Sequence, residues 1–252
     1  MFMRLLQLQL EPDHINQFKD FYENTVFPQL QEMPGCLFAG LIKSKPEENE
    51  FISLTFWKEQ AQVENYEKSG IFEKLFEQAK PFMSESAEWK MQLSKDMKLE
   101  YVQTSEEPKI KKYTVAVQNQ DTEKIIIQPS EMFVRIVSLK VQEDKLEEFK
   151  QLYQKVIIPT LKTVEGCRYA FLTESVSELN EFISVTIWNK KEDAGKYEAS
   201  GKFNELVDKI KHTLSQFYLW KMALEKDYSA KVATTDDLKV DRYDIISGKS
   251  FL

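Results

Sequence analysis

The feature that most constrains this chain is an internal duplication. Sliding the 252-residue sequence against itself by 131 positions aligns Arg4 with Arg135, and the alignment continues without a gap. Roughly 37 of the first 96 aligned pairs are identical, which predicts a tandem repeat of one structural unit. A weaker match, at a shift of 130 positions, relates residues 102–113 to residues 232–243. Two copies are too few for a solenoid, so we expect two compact domains facing each other.

The duplication divides the chain into two copies of a unit, each followed by an extension. We place the first copy at residues 1–97 and the second copy at residues 132–228. Residues 98–131 form a linker with a predicted strand, and residues 229–252 form the equivalent C-terminal extension. The chain has the length of two ordinary domains, so each copy can bury a core of its own.

Within one copy the hydrophobic pattern alternates between the periods of a strand and of a helix. The predicted elements of the first copy are strand 2–10, helix 13–33, strands 36–43 and 50–57, helix 58–80 and strand 88–93. Pro28 lies inside the first helix, which should kink or restart there. Ser69 and Gly70 should interrupt the second helix. The order βαββαβ is that of a ferredoxin-like unit, an α+β fold with helices on one face of an antiparallel sheet.

The third predicted strand carries apolar residues on both faces. Ile52, Leu54 and Phe56 point to one side, whereas Phe51 and Trp57 point to the other. Because helices cover only one face of such a sheet, the other face must be buried against the second copy. We therefore predict two ferredoxin-like units packed as a dimeric α/β barrel within one chain. The strands predicted to join the two halves lie in the extensions, at residues 110–117 and 240–246.

The composition excludes several classes of partner. The net charge is -7, whereas nucleic acid or an anionic membrane requires a concentrated basic surface, so we expect neither partner. Glu11 and Asp13 soon interrupt the apolar N-terminus, and no stretch has the apolar length of a transmembrane helix. The chain has two cysteines, Cys36 and Cys167, which we expect to be buried small hydrophobes rather than nucleophiles. Such low cysteine usage agrees with a reducing compartment, and we expect a cytoplasmic protein.

Three motifs give the repeated unit a family resemblance. They are a helix ending in Pro28-x6-Gly35, the segment Glu50-Phe-Ile-Ser-Leu-Thr-Phe-Trp57-Lys, and the run Tyr66-x2-Ser69-Gly70-x-Phe72, each with its equivalent in the second copy. The unit resembles the antibiotic-biosynthesis-monooxygenase-like domain of the dimeric α/β barrel superfamily. The resemblance implies a monooxygenase that uses no metal, flavin or other cofactor. Such an enzyme positions an electron-rich phenolic compound, assists its deprotonation and stabilises the developing negative charge.

The resemblance also marks candidate site residues for a small hydrophobic or aromatic molecule, such as a quinol. Tyr66 and Tyr197 occupy the position at which haem-degrading relatives carry a pocket-lining tryptophan, and we predict a catalytic role for them. The predicted substrate-binding residues are Trp57, Trp188, Ser53, Ser184, Arg4, Arg135, Phe72 and Phe203. A simpler interpretation is that the aromatic residues are core between sheet and helix and that the serines are ordinary strand residues.

The two candidate arginines need an anionic partner. Arg4 and Arg135 share a predicted strand face with apolar residues, so each guanidinium requires a carboxylate or a ligand anion. Glu50 and Glu181 are the predicted internal partners. A salt bridge at the rim is favoured over a clamp on a substrate.

The sequence contains few candidate ligands for haem or a metal ion. Haem-degrading relatives place an axial histidine ten positions after the pocket aromatic, where this chain has Phe76 and Val207. The histidines His14 and His212 occupy neither position, so axial ligation has no candidate residue. Two unrelated histidines and two isolated cysteines form no ligand cluster, and we expect no metal or cofactor.

Three functions remain open at this point. The first is a cofactor-independent monooxygenase with a pocket between each sheet and its helices, and the second is a non-catalytic small-molecule-binding or structural pseudo-dimer. Haem binding or degradation is the third and least favoured. A cavity of a few hundred Å³ beside Trp57 and Tyr66, with a polar group inside, would favour the enzyme, whereas a solid core would exclude it. The chain can satisfy its own interface as a monomeric pseudo-dimer or assemble further into a homo-oligomer.

Overall fold

The structure is a computed structural model, and it describes residues 1–45, 47–84, 88–93, 99–104, 110–118, 132–215 and 238–251. The elements of the first half are β1 (Phe2–Gln9), α1 (Ile15–Phe21), α2 (Phe27–Gln31), β2 (Cys36–Ser44), β3 (Glu50–Trp57), α3 (Gln60–Lys68), α4 (Ile71–Ala79), β4 (Glu88–Leu93), β5 (Leu99–Thr104) and β6 (Ile110–Gln118). Those of the second half are β7 (Phe133–Lys140), α5 (Leu146–Leu152), α6 (Ile158–Lys162), β8 (Cys167–Ser175), β9 (Glu181–Trp188), α7 (Lys191–Ala199), α8 (Lys202–Ile210) and β10 (Leu238–Ser250).

Eight of these strands form one closed antiparallel barrel in the order β1-β3-β2-β10-β7-β9-β8-β6. Each half contributes a four-stranded ferredoxin-like sheet, β6-β1-β3-β2 in the first half and β10-β7-β9-β8 in the second. The predicted fold is therefore confirmed as two ferredoxin-like units that close into an α/β barrel within one chain. Closure leaves no free sheet edge in the barrel, so every barrel strand has a partner on both sides.

The extension strands join the two halves, as the sequence predicts. Strand β6 pairs with β1 of its own half and with β8 of the other half. Strand β10 does the same between β7 and β2. The register places Lys112 opposite Arg4 and Arg242 opposite Arg135. Each extension therefore provides the fourth strand of its ferredoxin-like unit and seals one seam of the barrel.

The predicted final strand of the unit needs a correction. Residues 88–93 do form a strand, but β4 pairs with β5 in a separate two-stranded sheet outside the barrel. The fourth barrel strand is β6, because only a strand paired with both β1 and β8 closes the ring at this position. The equivalent of β4 in the second copy falls on residues 219–224, which lie outside the described residues.

The apolar residues occupy two separate layers, and strand β3 contributes to both. Ile52, Leu54 and Phe56 face the barrel interior, whereas Phe51 and Trp57 pack under the helices of the first half. The predicted alternation is therefore confirmed. At one end of the barrel the interior is filled by aromatic rings, which include the Phe38, Phe56 and Phe171 side chains.

A π-helical turn interrupts the first helix of each copy. In the first copy it covers Tyr22–Val26 and precedes α2, where Pro28 lies at the start of the new segment. Proline lacks an N–H and its ring clashes with the preceding turn, so the helix restarts there, as the sequence predicts. The second helix breaks between α3 and α4, where Gly70 has a φ of 76°. In the described ranges, no helix has the length and apolar character needed to cross a bilayer.

Candidate functional site

A cleft lies between the helices and the outer face of the sheet in each copy. Cleft 1 encloses about 40 Å³ and cleft 2 about 30 Å³, and apolar side chains make up most of their walls. The polar and aromatic residues of cleft 1 used below are Arg4, Tyr22, Ser53, Thr55, Tyr66 and Phe72. Their equivalents in cleft 2 are Arg135, Tyr153, Ser184, Thr186, Tyr197 and Phe203.

Arg4 is a buried cation on the floor of cleft 1. It lies on β1, where the strand alternation directs it toward the helices, and only 2% of the residue is exposed. Its Nε donates a hydrogen bond to Oε1 of Glu67 at 3.1 Å. Its guanidinium carbon lies 4.4 Å from the ring centroid of Phe72, which is close enough for a cation–π interaction. The predicted partner Glu50 is wrong, because Glu50 begins β3 on the inner face of the barrel, opposite Gln9.

Cleft 2 repeats this arrangement with equivalent residues. Nε of Arg135 donates to Oε1 of Glu198 at 2.7 Å, and the guanidinium lies 4.1 Å from the ring centroid of Phe203. Glu198, and not the predicted Glu181, is therefore the partner of Arg135. Burial lowers the pKa of Arg135, although the charge of Glu198 opposes that change.

A second cation from the extension strand shares each carboxylate. Nζ of Lys112 lies 2.5 Å from Oε2 of Glu67, and Nη2 of Arg242 lies 2.7 Å from Oε2 of Glu198. Burial alone would raise the pKa of Glu198, but the hydrogen bonds and charges of Arg242 and Arg135 bring it below its ordinary value. The charged cluster beside each cleft therefore contains two cations and one carboxylate, of which only the arginine on β1 or β7 lines the cleft, and one positive charge of the cluster is uncompensated.

One nitrogen of each buried arginine has no hydrogen-bond partner. Nη2 of Arg4 and Nη2 of Arg135 are both buried, and neither makes a hydrogen bond to a described residue. A buried donor of this kind costs about 1–3 kcal/mol, and more when it is charged. Both arginines line their clefts, so an oxygen anion bound in either cleft would satisfy this nitrogen.

The two predicted catalytic tyrosines line the clefts and lie against the tryptophans. The Tyr66 ring is 5.4 Å from that of Trp57, and Tyr197 is 5.2 Å from Trp188. Burial raises the pKa of Tyr66 to about 12, although the charge of Arg4 opposes the rise, and burial raises that of Tyr197 as well. Both phenols are therefore neutral at physiological pH, so they can donate a hydrogen bond but cannot act as a general base.

The tryptophans themselves lie behind the cleft walls. Trp57 is fully buried, and its indole Nε1 donates to Oγ1 of Thr55 at 2.9 Å. Trp188 donates in the same way to Thr186, also at 2.9 Å. Neither indole lines a cleft, so these two residues support the tyrosines rather than meet a ligand directly.

Two groups of cleft residues are missing from the sequence prediction. The first is Tyr22, whose hydroxyl lies 2.6 Å from Oγ of the predicted residue Ser53, and its equivalent Tyr153, which bonds to Ser184. The second group comprises the carboxylates of Glu67 and Glu198. Both groups carry a sequence signal, because the tyrosines and the carboxylates are identical in the two copies.

The residues at the axial-histidine position and the two cysteines occupy apolar surroundings. Phe76 lines cleft 1 and Val207 lines cleft 2 at the position of the axial histidine. Burial raises the pKa of Cys36 and of Cys167 to about 12, so both thiols stay protonated. In the part of the chain that the structure describes, no three His, Cys, Asp or Glu side chains are grouped to hold a metal ion.

The fold and the paired clefts define a class of protein, a dimeric α/β barrel whose two halves are fused in one chain. The sequence model of the family described as antibiotic biosynthesis monooxygenase matches residues 1–78 and residues 132–209. The chain belongs to the antibiotic biosynthesis monooxygenase family and carries one family domain in each copy. A comparison with curated proteins gives no match.

Several solved structures share this fold along almost the whole chain. A protein from Fusobacterium nucleatum assigned as a monooxygenase has a TM-score of 0.69 at 10% identity, covering 99% of this chain and 94% of that one. An assigned monooxygenase from Lactobacillus acidophilus has a TM-score of 0.67 at 8% identity, covering 99% and 96%. An anthrone oxidase-like protein has a TM-score of 0.59 at 12% identity, covering 99% and 93%. Identities this low establish the common fold alone.

Proposed function

We propose that this chain is a cofactor-independent monooxygenase of the antibiotic biosynthesis monooxygenase family, which binds a small aromatic or quinol-type compound in each cleft. The observation that carries the proposal is the buried, unpaired Nη2 of Arg4 and its equivalent on Arg135. The same group appears at the same place in both copies, within an aromatic wall. Family membership supports monooxygenase chemistry for such a site.

Arg4 and Arg135 stabilise the anionic form of the substrate. A guanidinium nitrogen in a water-poor cleft favours an ionised phenolic oxygen, because the charge–charge interaction is stronger there than in water. The substrate proton leaves to solvent, since the neutral phenols of Tyr66 and Tyr197 cannot accept it at physiological pH. These tyrosines instead donate a hydrogen bond to the substrate oxygen. The ionised substrate then reduces dioxygen, so that one oxygen atom enters the oxidised product and the other leaves as water.

The size of the clefts sets a condition on this proposal. Volumes of about 40 Å³ and 30 Å³ hold only a few water molecules, whereas ligand pockets usually enclose about 300–1,000 Å³. The aromatic wall must therefore move before a substrate enters. In cleft 1 the ring of Phe72 covers Arg4, and the ring of Phe76 stacks against Phe72 at 6.0 Å.

The same volumes favour a second candidate function, a non-catalytic small-molecule-binding or structural pseudo-dimer. In this alternative the cleft aromatics are core residues, and the arginine clusters fasten helices α3 and α7 to the sheet. A third function is haem binding or degradation. For this function, the positions of the axial ligand hold phenylalanine and valine. In all three cases we place the protein in the cytoplasm, with a small hydrophobic or aromatic molecule as its partner and with a monomer or a further homo-oligomer as its assembly.

Oxygen uptake with a panel of hydroquinones and anthrones tests the proposal. The wild type should consume oxygen with at least one compound, and the double variant Arg4→Met/Arg135→Met should lose about 100-fold in kcat/KM, as enzymes do when one oxyanion donor is removed. Tyr66→Phe/Tyr197→Phe should lose about tenfold, because it removes one neutral hydrogen bond from the bound anion. Oxygen-electrode rates and product mass spectra provide the measurement.

The matched control is Lys112→Met/Arg242→Met. It breaks ion pairs to the same Glu67 and Glu198 but does not line either cleft, so it should keep most of the activity. Equal losses in both double variants would assign the arginines a structural role. Binding of an aromatic compound without oxygen uptake would favour the non-catalytic alternative, and a Soret shift on titration with haemin would favour haem binding.

A further inference from the structure

A space near the barrel axis lies at the end of the barrel opposite the aromatic cluster. This space, which we call the barrel mouth, encloses about 320 Å³, which is within the range of small-molecule sites. Its floor is aliphatic and includes Leu5, Ile52 and Ile136. It lies inside the barrel, whereas both clefts lie outside the sheet under the helices, so the barrel mouth is a separate space.

Both copies contribute equivalent residues to the barrel mouth. Glu50 and Glu181 are related by the duplication and begin β3 and β9, and both line the space. Tyr113 and Tyr243 are related in the same way and lie on the extension strands β6 and β10. The site therefore lies on the pseudo-twofold axis, and neither copy alone can form it.

Tyr113 and Tyr243 are buried residues whose hydroxyls line the space without a hydrogen-bond partner among the described residues. Tyr113 is 3% exposed and Tyr243 is 4% exposed, and neither hydroxyl makes a hydrogen bond to a residue that the structure describes. Burial raises the pKa of Tyr113 to about 12, and the charges of Glu181 and Glu178 add to the rise. Burial raises the pKa of Tyr243 as well. Both hydroxyls are thus neutral groups that line the space and can accept a hydrogen bond from an occupant.

The carboxylates at the barrel mouth differ in whether a lysine forms an ion pair with them. Oδ1 of Asp241 lies 3.1 Å from Nζ of Lys239, and Oε1 of Glu181 lies 3.9 Å from Nζ of Lys140. Glu50 forms no ion pair with any cation in the described ranges. Partial burial raises its pKa, although the charge of Lys239 and a hydrogen bond from Gln7 oppose the rise. Of the three carboxylates that line the barrel mouth, Glu50 is the one without an ion-paired cation among the described residues, so a bound ammonium can pair with it.

We propose that the barrel mouth binds a small primary alkylamine. Its ammonium lies between the Glu50 carboxylate and the Tyr243 hydroxyl, and its alkyl chain lies on the aliphatic floor formed by Leu5, Ile52 and Ile136. An ammonium provides three donors and no acceptor, which matches one carboxylate and an unpaired phenol oxygen. The chain displaces water from the floor and adds about 0.8 kcal/mol for each buried CH₂.

The lysines at the barrel mouth do not favour an anion in place of the amine. Of the three lysines that line it, Lys239 is 64% exposed and Lys140 is 51% exposed as side chains, and Lys111 is exposed as well. All three ammonium groups therefore reach solvent at the rim. An anion on the floor would instead meet Glu50 and two phenols. This inference does not depend on the function proposed for the clefts.

Calorimetric titration of the full chain with pentylamine, pentanol and pentanoate tests the inference. Pentylamine should bind more tightly than the other two probes. Its affinity should fall about tenfold or more in Glu50→Gln and by a smaller factor in Tyr243→Phe, because charge-assisted hydrogen bonds are the stronger ones. The exposed residue Glu143 provides the matched control, and Glu143→Gln should bind pentylamine as the wild type does.

A second measurement locates the bound amine. In protein labelled with 3-fluorotyrosine, the ¹⁹F resonances of Tyr113 and Tyr243, assigned with Tyr113→Phe and Tyr243→Phe, should shift on adding pentylamine, and that of the cleft residue Tyr66 should not. Pentanoate binding as tightly as pentylamine would overturn the inference. So would unchanged amine affinity in a folded Glu50→Gln protein, or no binding of any probe.

Discussion

Glu198 determines the electrostatic balance of cleft 2 at the scale of single residues. Its two oxygens hold Arg135 and Arg242, which lie opposite each other on neighbouring strands. Like charges in such a pair repel each other. The carboxylate offsets this repulsion because it accepts one charge-assisted hydrogen bond from each arginine. Without it, Arg135 would be a buried cation facing a second cation.

Replacing Glu198 with glutamine should destabilise the fold in a pH-dependent way. At pH 7 we expect a loss of about 2 kcal/mol in the free energy of unfolding, because a buried cation loses its charged partner. The pKa of Glu198 in the fold lies below its ordinary value of 4.5. Its contribution is therefore complete above pH 4.5 and disappears as the pH falls through the folded pKa. Urea unfolding from pH 7 to pH 3 measures this difference.

The control for this prediction is Glu205→Gln on helix α8. Glu205 is exposed, and the charge change is identical, so its effect should stay within about 0.5 kcal/mol. If the difference in free energy of unfolding between wild type and Glu198→Gln is the same at pH 3 as at pH 7, the proposed ion-pair cluster is contradicted.

At this scale the sequence shows that a buried charge requires a partner of opposite charge, but it does not show which residue that partner is. Arg4 falls on an apolar strand face, so a carboxylate or a ligand anion is required nearby. The choice of Glu50 fails, because it faces the barrel interior while Arg4 faces the helices. Glu67 reaches Arg4 because helix α3 lies across the sheet with this side toward β1. The rotation of a helix about its own axis depends on packing, which the pattern of one helix does not determine.

At the scale of elements, a glycine at the end of a helix and a glycine inside a helix differ in whether a side chain could replace the hydrogen. Gly166 lies between α6 and β8 with a φ of 81°, and a Cβ there would meet Oδ2 of Asp193 at 2.4 Å. Gly195 lies inside α7, and a Cβ there would meet nothing within 4 Å. The same substitution should therefore have opposite effects at these two positions.

Gly166→Ala should destabilise the protein by about 1–3 kcal/mol, since an L-residue in the left-handed region costs about 1–2 kcal/mol and Asp193 must also move. Gly195→Ala should stabilise it by about 0.5–1 kcal/mol, because alanine restricts the unfolded chain and fits the helix. Urea midpoints at constant slope provide the comparison. Stabilisation by both substitutions would mean that the turn at Gly166 tolerates a side chain.

The sequence predicts most of the elements but not all of their pairings. Strand β3 is predicted by its apolar residues on both faces, whereas β1 and β6 are predicted by alternation. Alternation does not distinguish residues 88–93 from residues 110–118 as the fourth strand, since both segments alternate. Pairing is decided by closure of the ring, a property of the whole sheet. The π-helical turn precedes Pro28, which has no N–H to donate. The proline therefore predicts where the helix is interrupted but not how many residues the interruption includes.

The whole molecule is a ring of strands with two seams, β2 with β10 and β6 with β8. Cutting the chain near residue 131 would leave two four-stranded sheets, each with an apolar inner face and two open edges. Such surfaces are not stable in water and attract a partner.

Fragments 1–131 and 132–252 should therefore combine into a 1:1 complex with the 29.7 kDa mass of the intact chain. Light scattering after size exclusion measures the mass, and circular dichroism compares the fold with the intact protein. Either fragment alone should self-associate. A fragment that stays monomeric and folded would contradict the view that the two halves bury each other's inner face.

Fusion of the halves also changes how the protein can evolve. In a dimer of identical chains every substitution occurs twice, so both sites change together. Here each copy has its own codons, and the copies already differ where Lys112 corresponds to Arg242 and Phe76 to Val207. One cleft can thus acquire a new preference while the other keeps the ancestral one. Selection can act on the two halves as on two duplicated genes that are always produced in equal amounts.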